Sequence, residues 1–299
     1  MFAFTKYSKI YYLFSAILIL GAIVSLILFP LKLGIEFNGG SRIQIEFKDQ
    51  RPGNEEISQA LAQFDLGDII IQPTGQKGVV LQFREIDETK HQEIISKLNT
   101  ISVIEDNNFN LIGPSVGQEL KNKTFIAISL SLLAITIYIA FAFRKVSRPV
   151  ASWKYGIASL IALFHDIIIP LGIFSLLGKF YNVEITIPII AALLTILGFS
   201  VHDTIVIFDR IRENILRRGL GRFEQTVDVS LNQTIGRSVS TVATVLLVMA
   251  SLFFFGGPTL KYFSLALIIG VTAGAYSSIF IASPLLVTWQ KWSERRVQK

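Results

Sequence analysis

Apolar positions run nearly unbroken for 18 residues or more at several places along the chain. That length crosses a bilayer as a helix and exceeds what a soluble core element needs. Six such stretches lie at approximately 10–31, 124–143, 153–177, 185–208, 238–255 and 262–289. Lys6 and Lys9 precede the first, as in a signal peptide. Its run of about 20 apolar residues is too long for an h-region, and no A-x-A-like site follows, so it reads as an uncleaved first span. Residues 32–123 follow a different pattern. Residues 41–48 alternate, with Ile43, Ile45 and Phe47 on one face and Arg42, Gln44 and Glu46 on the other, which predicts a half-buried strand. Asn54 is placed to cap a helix to about Phe64, with Ile57, Leu61 and Phe64 on one stripe. Residues 67–73 and 78–84 predict two strands joined by a turn. Asp87 caps a second helix with His91, Ile94, Ile95 and Leu98 inward, and 107–112 predicts a last strand. The order β-α-β-β-α-β is that of the split βαβ, ferredoxin-like arrangement. The fold class expected is therefore an α-helical polytopic membrane protein, with six transmembrane helices and one α+β ferredoxin-like extracytoplasmic domain. The expected segments are 1–31 (N-terminus and first span), 32–123 (the domain) and 124–299 (five further spans, a cytoplasmic loop at 209–237 and a C-terminal tail).

Composition agrees: 51% of residues are hydrophobic, 17% are charged, and the mean hydropathy is +0.54. The chain has no cysteine, which excludes a disulfide scaffold, a thiolate nucleophile and cysteine metal ligands. The net charge of +6 points to nucleic acid only until it is divided by region. Residues 32–123 carry 10 Lys and Arg against 14 Asp and Glu, and the remainder carries 18 against 8. The basic excess flanks the spans. Lys6 and Lys9, then Arg144, Lys145, Arg148 and Lys154, then Arg210, Arg212, Arg217, Arg218, Arg222 and Arg237, then Lys291, Arg295, Arg296 and Lys299 all fall on one side. The opposite short loops hold Lys179 and Lys261. The positive-inside rule then puts both termini in the cytoplasm and 32–123 outside.

Ionisable groups inside spans are costly and become functional candidates. His202 and Asp203 lie in the fourth span, His165 and Asp166 in the third, and Arg237 opens the fifth. Asp203 shares a helix face with Ile196, Ser200 and Ile207, so it needs a partner to stay charged, a condition a proton relay exploits. Arg237, Thr241 and Thr244 form a stripe at i, i+4, i+7, near Ser238 and Ser240. Arg237 either pairs with Asp203 or snorkels to the headgroups as a positive anchor. Asp209, among Arg210 and Arg212, reads as a boundary residue. His165 and Asp166 are either a second relay or a capping and packing pair near Pro170. Ala266, Gly270, Gly274, Ser278 and Ala282 recur every fourth residue, a stripe for close helix packing inside the bundle or against a partner subunit. No metal-ligand spacing joins His165 and His202, and the Gly39-Gly40 pair lacks the Lys-Ser/Thr of a P-loop, so it reads as a bend. No metal, cofactor or enzymatic constellation is expected.

Four segments carry a resemblance. Gly34-Ile35-Glu36-Phe37-Asn38-Gly39-Gly40-Ser41 resembles G-[IL]-D-F-x-G-G-[ST], and Gly113-Pro114 with Val116-Gly117-Gln118-Glu119-Leu120 resembles V-G-P-x-V-G-x-E-L. Residues 198–214, with Ser200, Asp203, Thr204, Asp209, Arg210, Arg212 and Asn214, resemble G-Y-S-x-N-D-T-V-V-x-F-D-R-I-R-E-N. Asn232-Gln233-Thr234 with Arg237 and Ser238 resembles N-Q-T-x-x-R-[ST]. These belong to the SecD/SecF family of protein translocase subunits, in the resistance-nodulation-division superfamily, and the chain is similar to its SecF branch over nearly its whole length. Glu36 stands where the family has Asp, and His202 where it has Asn.

The resemblance implies a multi-pass protein of the bacterial inner membrane that pairs with SecD. It would work with the SecYEG translocon after SecA, alongside YajC and YidC, on unfolded preprotein. Proton motive force would move the outward domain, with Asp203, Arg237 and Thr241 on the proton path and the titratable His202 beside them. A half-size small-molecule or lipid exporter of the same superfamily, and a non-transporting translocon scaffold, are the alternative readings.

Overall fold

The structure is a computed structural model that describes residues 2–144, 150–218 and 222–297. Lys145, Arg148 and Lys299 of the charge pattern lie outside the described residues. In chain order the elements are α1 (Ser8–Leu28), a single turn α2 (Ile35–Asn38), β1 (Gly40–Phe47), α3 (Asn54–Leu61), β2 (Ile70–Thr74), β3 (Gly78–Phe83), α4 (Glu88–Asn99) and β4 (Ile104–Ile112). The long helices follow: α5 (Pro114–Ala142), α6 (Ser152–Tyr181), α7 (Ile187–Arg218), α8 (Phe223–Phe255), α9 (Pro258–Ser277), a π-helical turn (Ser278–Ala282) and α10 (Ser283–Val297). Among the described residues six helical runs are long and apolar enough to cross a membrane: α1, α5, α6, α7, α8 and α9 through α10. The chain divides into two units. One comprises Met1–Leu31, Ile126–Phe180 and Pro188–Lys299, the other Lys32–Phe125 with Tyr181–Ile187.

The helical unit is built around α6 and α7. About 50% of the most apolar window of each is buried, against 6% for α5 and 11% for α8, so the last two turn their apolar sides outward. Tyr155 stacks on Phe143 at 5.3 Å, and Phe208 meets Tyr155 edge-on at 5.1 Å, in the centre of its core. Small residues let α1 approach α6: Ser25 donates to the Gly172 carbonyl at 3.0 Å and to Ser175 Oγ at 3.0 Å. The described part of the stretch 209–237, expected as a loop, is largely helical. It continues α7 to Arg218 and α8 from Phe223, because its charges pair at helical spacing, Arg217 with Glu213 at 2.7 Å and Arg210 with Glu213. The N-terminal segment docks on α8. Thr5 donates its backbone N–H and its hydroxyl to Asp228, each at 2.9 Å, and Asn232 bonds both backbone groups of Phe2.

The smaller unit has one antiparallel sheet in the order β2-β3-β1-β4, with Ile43, Ile45 and Phe47 fully buried. Ile57, Leu61, Ile94 and Leu98 of α3 and α4 complete the core. Asp87 caps α4 through the Lys90 N–H at 2.9 Å. One helix start differs from expectation by a residue. Asn54 is the first residue of α3, where its side chain accepts from Arg51, and Gly53 takes the capping place. α5 starts at Pro114, whose fixed φ suits a first helical position, and its first bonds go to the Gly113 carbonyl. His91, on the inward face of α4, is buried and stacks on Phe109 at 4.3 Å.

The glycine pair does more than bend. Gly39 (φ 76°) and Gly40 (φ 129°) take conformations that L side chains avoid. A Cβ on Gly39 would stand 2.8 Å from Pro114 Cα, and one on Gly117 would stand 2.8 Å from the Phe37 carbonyl oxygen. The two family-like segments thus pack backbone to backbone. Residues 181–187 join this unit. Gly34 N–H donates to Ile185 O at 2.9 Å, and Ile185 N–H to Lys32 O at 2.7 Å. Arg42 bonds Glu36 at 2.9 Å and lies 3.7 Å from Glu184, also buried.

Candidate functional site

Asp203 lies sixteen residues into α7, about 24 Å along it at 1.5 Å per residue, and so near the middle of a bilayer span. It is buried, and its Oδ1 accepts from the Ser238 hydroxyl of α8 at 2.5 Å. Its Oδ2 is buried with no hydrogen-bond partner among the described residues. Ser278, His202 and Arg237 are its other polar neighbours.

Ser238, and not Arg237, is the α8 residue that reaches the carboxylate. One step along a helix turns the side chain by about 100°, so a buried Ser238 leaves Arg237 on the outer surface, where it is exposed. Among the described residues Arg237 forms no ion pair with Asp203. Thr241 and Thr244 continue the exposed face, and their hydroxyls return to the carbonyls of Arg237 and Thr241 at 3.0 and 2.8 Å. His202 is exposed as well. The structure therefore gives Asp203 an inner side of hydroxyls and an adjacent outer side of His202, Arg237 and Thr241.

One turn along α7 is a second buried cluster. Asp166 of α6 is fully enclosed. Its Oδ1 lies 2.9 Å from His165 Nδ1, and its Oδ2 accepts from Ser200 at 2.5 Å and from Ser277 at 2.8 Å. Ser278, opening the π turn, shares a hydrogen bond with Thr204 at 2.8 Å and reaches the Ser200 carbonyl at 3.4 Å. Ser277 did not stand out in the sequence; the signal for it was its place beside Ser278 in an apolar run. Gly270 and Gly274 pack inside the chain. A Cβ on Gly270 would stand 2.1 Å from Ile196 Cδ1, and one on Gly274 3.0 Å from Ser200 Cβ. At these two positions of the small-residue stripe the neighbour is α7.

Asp209 is exposed and lies 3.4 Å from Arg212. Beside it the motif residues stitch α7 to α8. Arg210 bonds Gln233 at 2.7 Å, and Asn214 bonds Ser230 and Gln233 at 2.8 and 2.9 Å. These polar residues fix the register of the two helices that present Asp203 and Ser238. Among the described residues no group of three or more His, Asp or Glu is placed to hold a metal ion.

Comparison with known proteins gives these elements a context. Residues 92–292 match the family described as Protein export membrane protein SecD/SecF, C-terminal, and residues 24–50 match the SecD/SecF GG motif. A protein translocase subunit SecF of Thermobaculum terrenum is 45% identical, over 97% of this chain and 94% of its own length. Among solved structures, that of SecDF from Thermus thermophilus, a translocon-associated membrane protein, superposes with a TM-score of 0.84 at 30% identity. It covers 97% of this chain, and this chain spans 39% of that one. A structure of SecDF in a super-membrane-facing form superposes with a TM-score of 0.70 at 29% identity, over 99% of this chain and 40% of that one.

Proposed function

The chain belongs to the SecD/SecF family of protein export membrane proteins, and from that premise we propose that it is the SecF-type half of a proton-driven unit that helps draw preproteins across the bacterial inner membrane. The observation that carries the proton coupling is Asp203, a mid-span carboxylate with one oxygen held by Ser238 and the other unpartnered. An ionised Asp203 is attracted toward the Arg237 guanidinium on the neighbouring face, and a protonated Asp203 is not. Proton binding thereby shifts the preference of α7 and α8 between two arrangements, and Ser238 holds the carboxylate between exchanges. His202, beside Asp203, adds a titratable group on the outer side, and Thr241 extends the polar stripe.

SecD is the partner that fits. His202, Arg237 and Thr241 form a polar face at membrane depth, and exposing such groups to lipid is expensive unless another protein covers them. The longer SecDF structures, of which this chain spans about two fifths, support the same assignment. The smaller unit is read as a ferredoxin-like domain on the outer side of the membrane, supported by its β-α-β-β-α-β order and its β2-β3-β1-β4 sheet. The unbroken α5, from Pro114 to Ala142, supports a stiff link into the second span. The clustering of Lys and Arg supports cytoplasmic termini. SecYEG, with YajC and YidC nearby and SecA acting earlier, would supply the preprotein.

The test is gradient-dependent export by membranes that contain this chain and its SecD-type partner. Asp203→Asn keeps size and hydrogen bonding but cannot ionise. It is expected to assemble with the partner and to lose the gradient-driven component of export. Full proton-dependent export by Asp203→Asn would overturn the reading.

A further inference from the structure

The cluster around Asp166 is as deeply buried as any polar group in the helical unit, and the mechanism above does not use it. Three helices build it. α6 supplies His165 and Asp166, α7 supplies Ser200, and α9 supplies Ser277. Gly274 makes room for it, since a Cβ there would stand 3.5 Å from Asp166 Oδ2 and 3.0 Å from Ser200 Cβ. His165 is itself 1% exposed, and its Nε2 is buried with no hydrogen-bond partner among the described residues. A buried ring nitrogen without a partner costs free energy in the membrane interior and leaves a place where a proton can bind.

We propose that His165 and Asp166 form a second proton-binding site in this chain, about one helical turn along α7 from Asp203. The proposal rests on the reading that the membrane helices carry protons, and adds a separate station to it. The bookkeeping is simple. With Asp166 ionised and His165 neutral, the Nδ1 proton is donated to Oδ1 and the pair carries one negative charge. A proton arriving at Nε2 gives an imidazolium facing the carboxylate, with no net charge. Passage of the Nδ1 proton to Oδ1 leaves a neutral acid beside a neutral imidazole, and the reverse sequence releases one proton.

Few other groups face the pair. Tyr276 of α9 stacks on the imidazole at 5.9 Å, and its hydroxyl donates to the Tyr11 carbonyl of α1 at 3.1 Å. α7 presents Ser200, with Asp203 on its next turn bonded to Ser238. Ser278, bonded to Thr204 and near the Ser200 carbonyl, stands between the two carboxylates. The turn at that point is π-helical, a rare departure from the regular α-helix that recurs at functional sites.

Asp166→Asn is a fair test because the fold can accept it. The amide oxygen can take both serine hydroxyls and the amide nitrogen can donate to Nδ1 once the imidazole changes tautomer. The full chain with its SecD-type partner, in lipid nanodiscs, is acidified in steps while an indicator dye counts protons bound. Asp166→Asn is expected to bind one proton fewer per chain than the wild type, and the Asp166→Asn/Asp203→Asn double variant fewer than either single variant. Unchanged uptake by Asp166→Asn overturns the proposal. Uptake by Asp203→Asn is read separately and decides the Asp203 assignment alone. The chain has three histidines, so ¹⁵N-labelled rings, assigned with His91→Gln and His202→Asn, give a second readout in otherwise native protein. The His165 nitrogens should shift with pH, and a pH-invariant His165 ring overturns the proposal even if Asp166→Asn does not assemble.

Discussion

A buried carboxylate with few hydrogen-bond partners is sensitive to the loss of one, and among the described residues the Ser238 hydroxyl is the one that closes on Asp203 Oδ1. Ser238→Ala should cost about 1–3 kcal/mol of stability and impair gradient-driven export, whereas Ser238→Thr keeps the hydroxyl and should recover most of both. Thr241→Ala, whose hydroxyl only returns to its own helix, should lose little stability. Thermal inactivation and export, measured side by side on the partnered protein, separate these outcomes. Glu184 makes a pH-dependent case in the smaller unit. Burial pushes its carboxyl above the ordinary 4.5, Gln82 and Arg42 pull it back, Glu36 raises it further, and Lys32 lowers it. A carboxyl raised in the folded state contributes stability below its unfolded pKa and loses it as pH rises through the folded value. Residues 32–42 and 181–187 should therefore exchange amide hydrogens faster as pH rises from below 4.5 toward neutrality, after correction for intrinsic exchange. Glu184→Gln should flatten that dependence.

Helix crossings depend on which face a small residue meets, and sequence periodicity is silent on that. The six apolar runs, the strand alternation at Ile43, Ile45 and Phe47 and the cap at Asp87 were legible, because each reports a local period or a local hydrogen bond. The partner of Asp203 was only half legible. Periodicity put Arg237 and Ser238 one step apart, but only packing could choose which turns inward. The same limit hid a close crossing of α1 and α6. A Cβ on Gly172 would stand 2.5 Å from both Cα and Cβ of Ala22, whereas Gly198 has nothing within 4 Å. Gly172→Ala should force α1 away from α6 and cost about 1–3 kcal/mol. Gly198→Ala should be neutral or stabilising by roughly 0.5–1 kcal/mol, because alanine favours a helix interior. Thermal inactivation in detergent ranks the two.

For the whole molecule, charge asymmetry predicts a topology that a cysteine-free chain is well suited to test. Gln76 and Gln225 are both exposed. With cysteine substituted at each in turn, an impermeant reagent added outside intact cells should label Gln76→Cys and spare Gln225→Cys, and the opposite pattern would invert the assignment. The charge rule was readable because it needs no fold. The joining of residues 181–187 to the smaller unit was not, since it rests on backbone bonds between Lys32, Gly34 and Ile185 with no side-chain signature. The docked N-terminal segment carries a consequence for biosynthesis. Thr5 is held by Asp228, 223 residues later in the chain. At roughly 5–20 residues per second, a ribosome needs on the order of 10–45 s to make that carboxylate after it has made the threonine. The first span must therefore wait in the bilayer with the segment around Thr5 unfastened, and that segment reaches its final position only after α8 has been made.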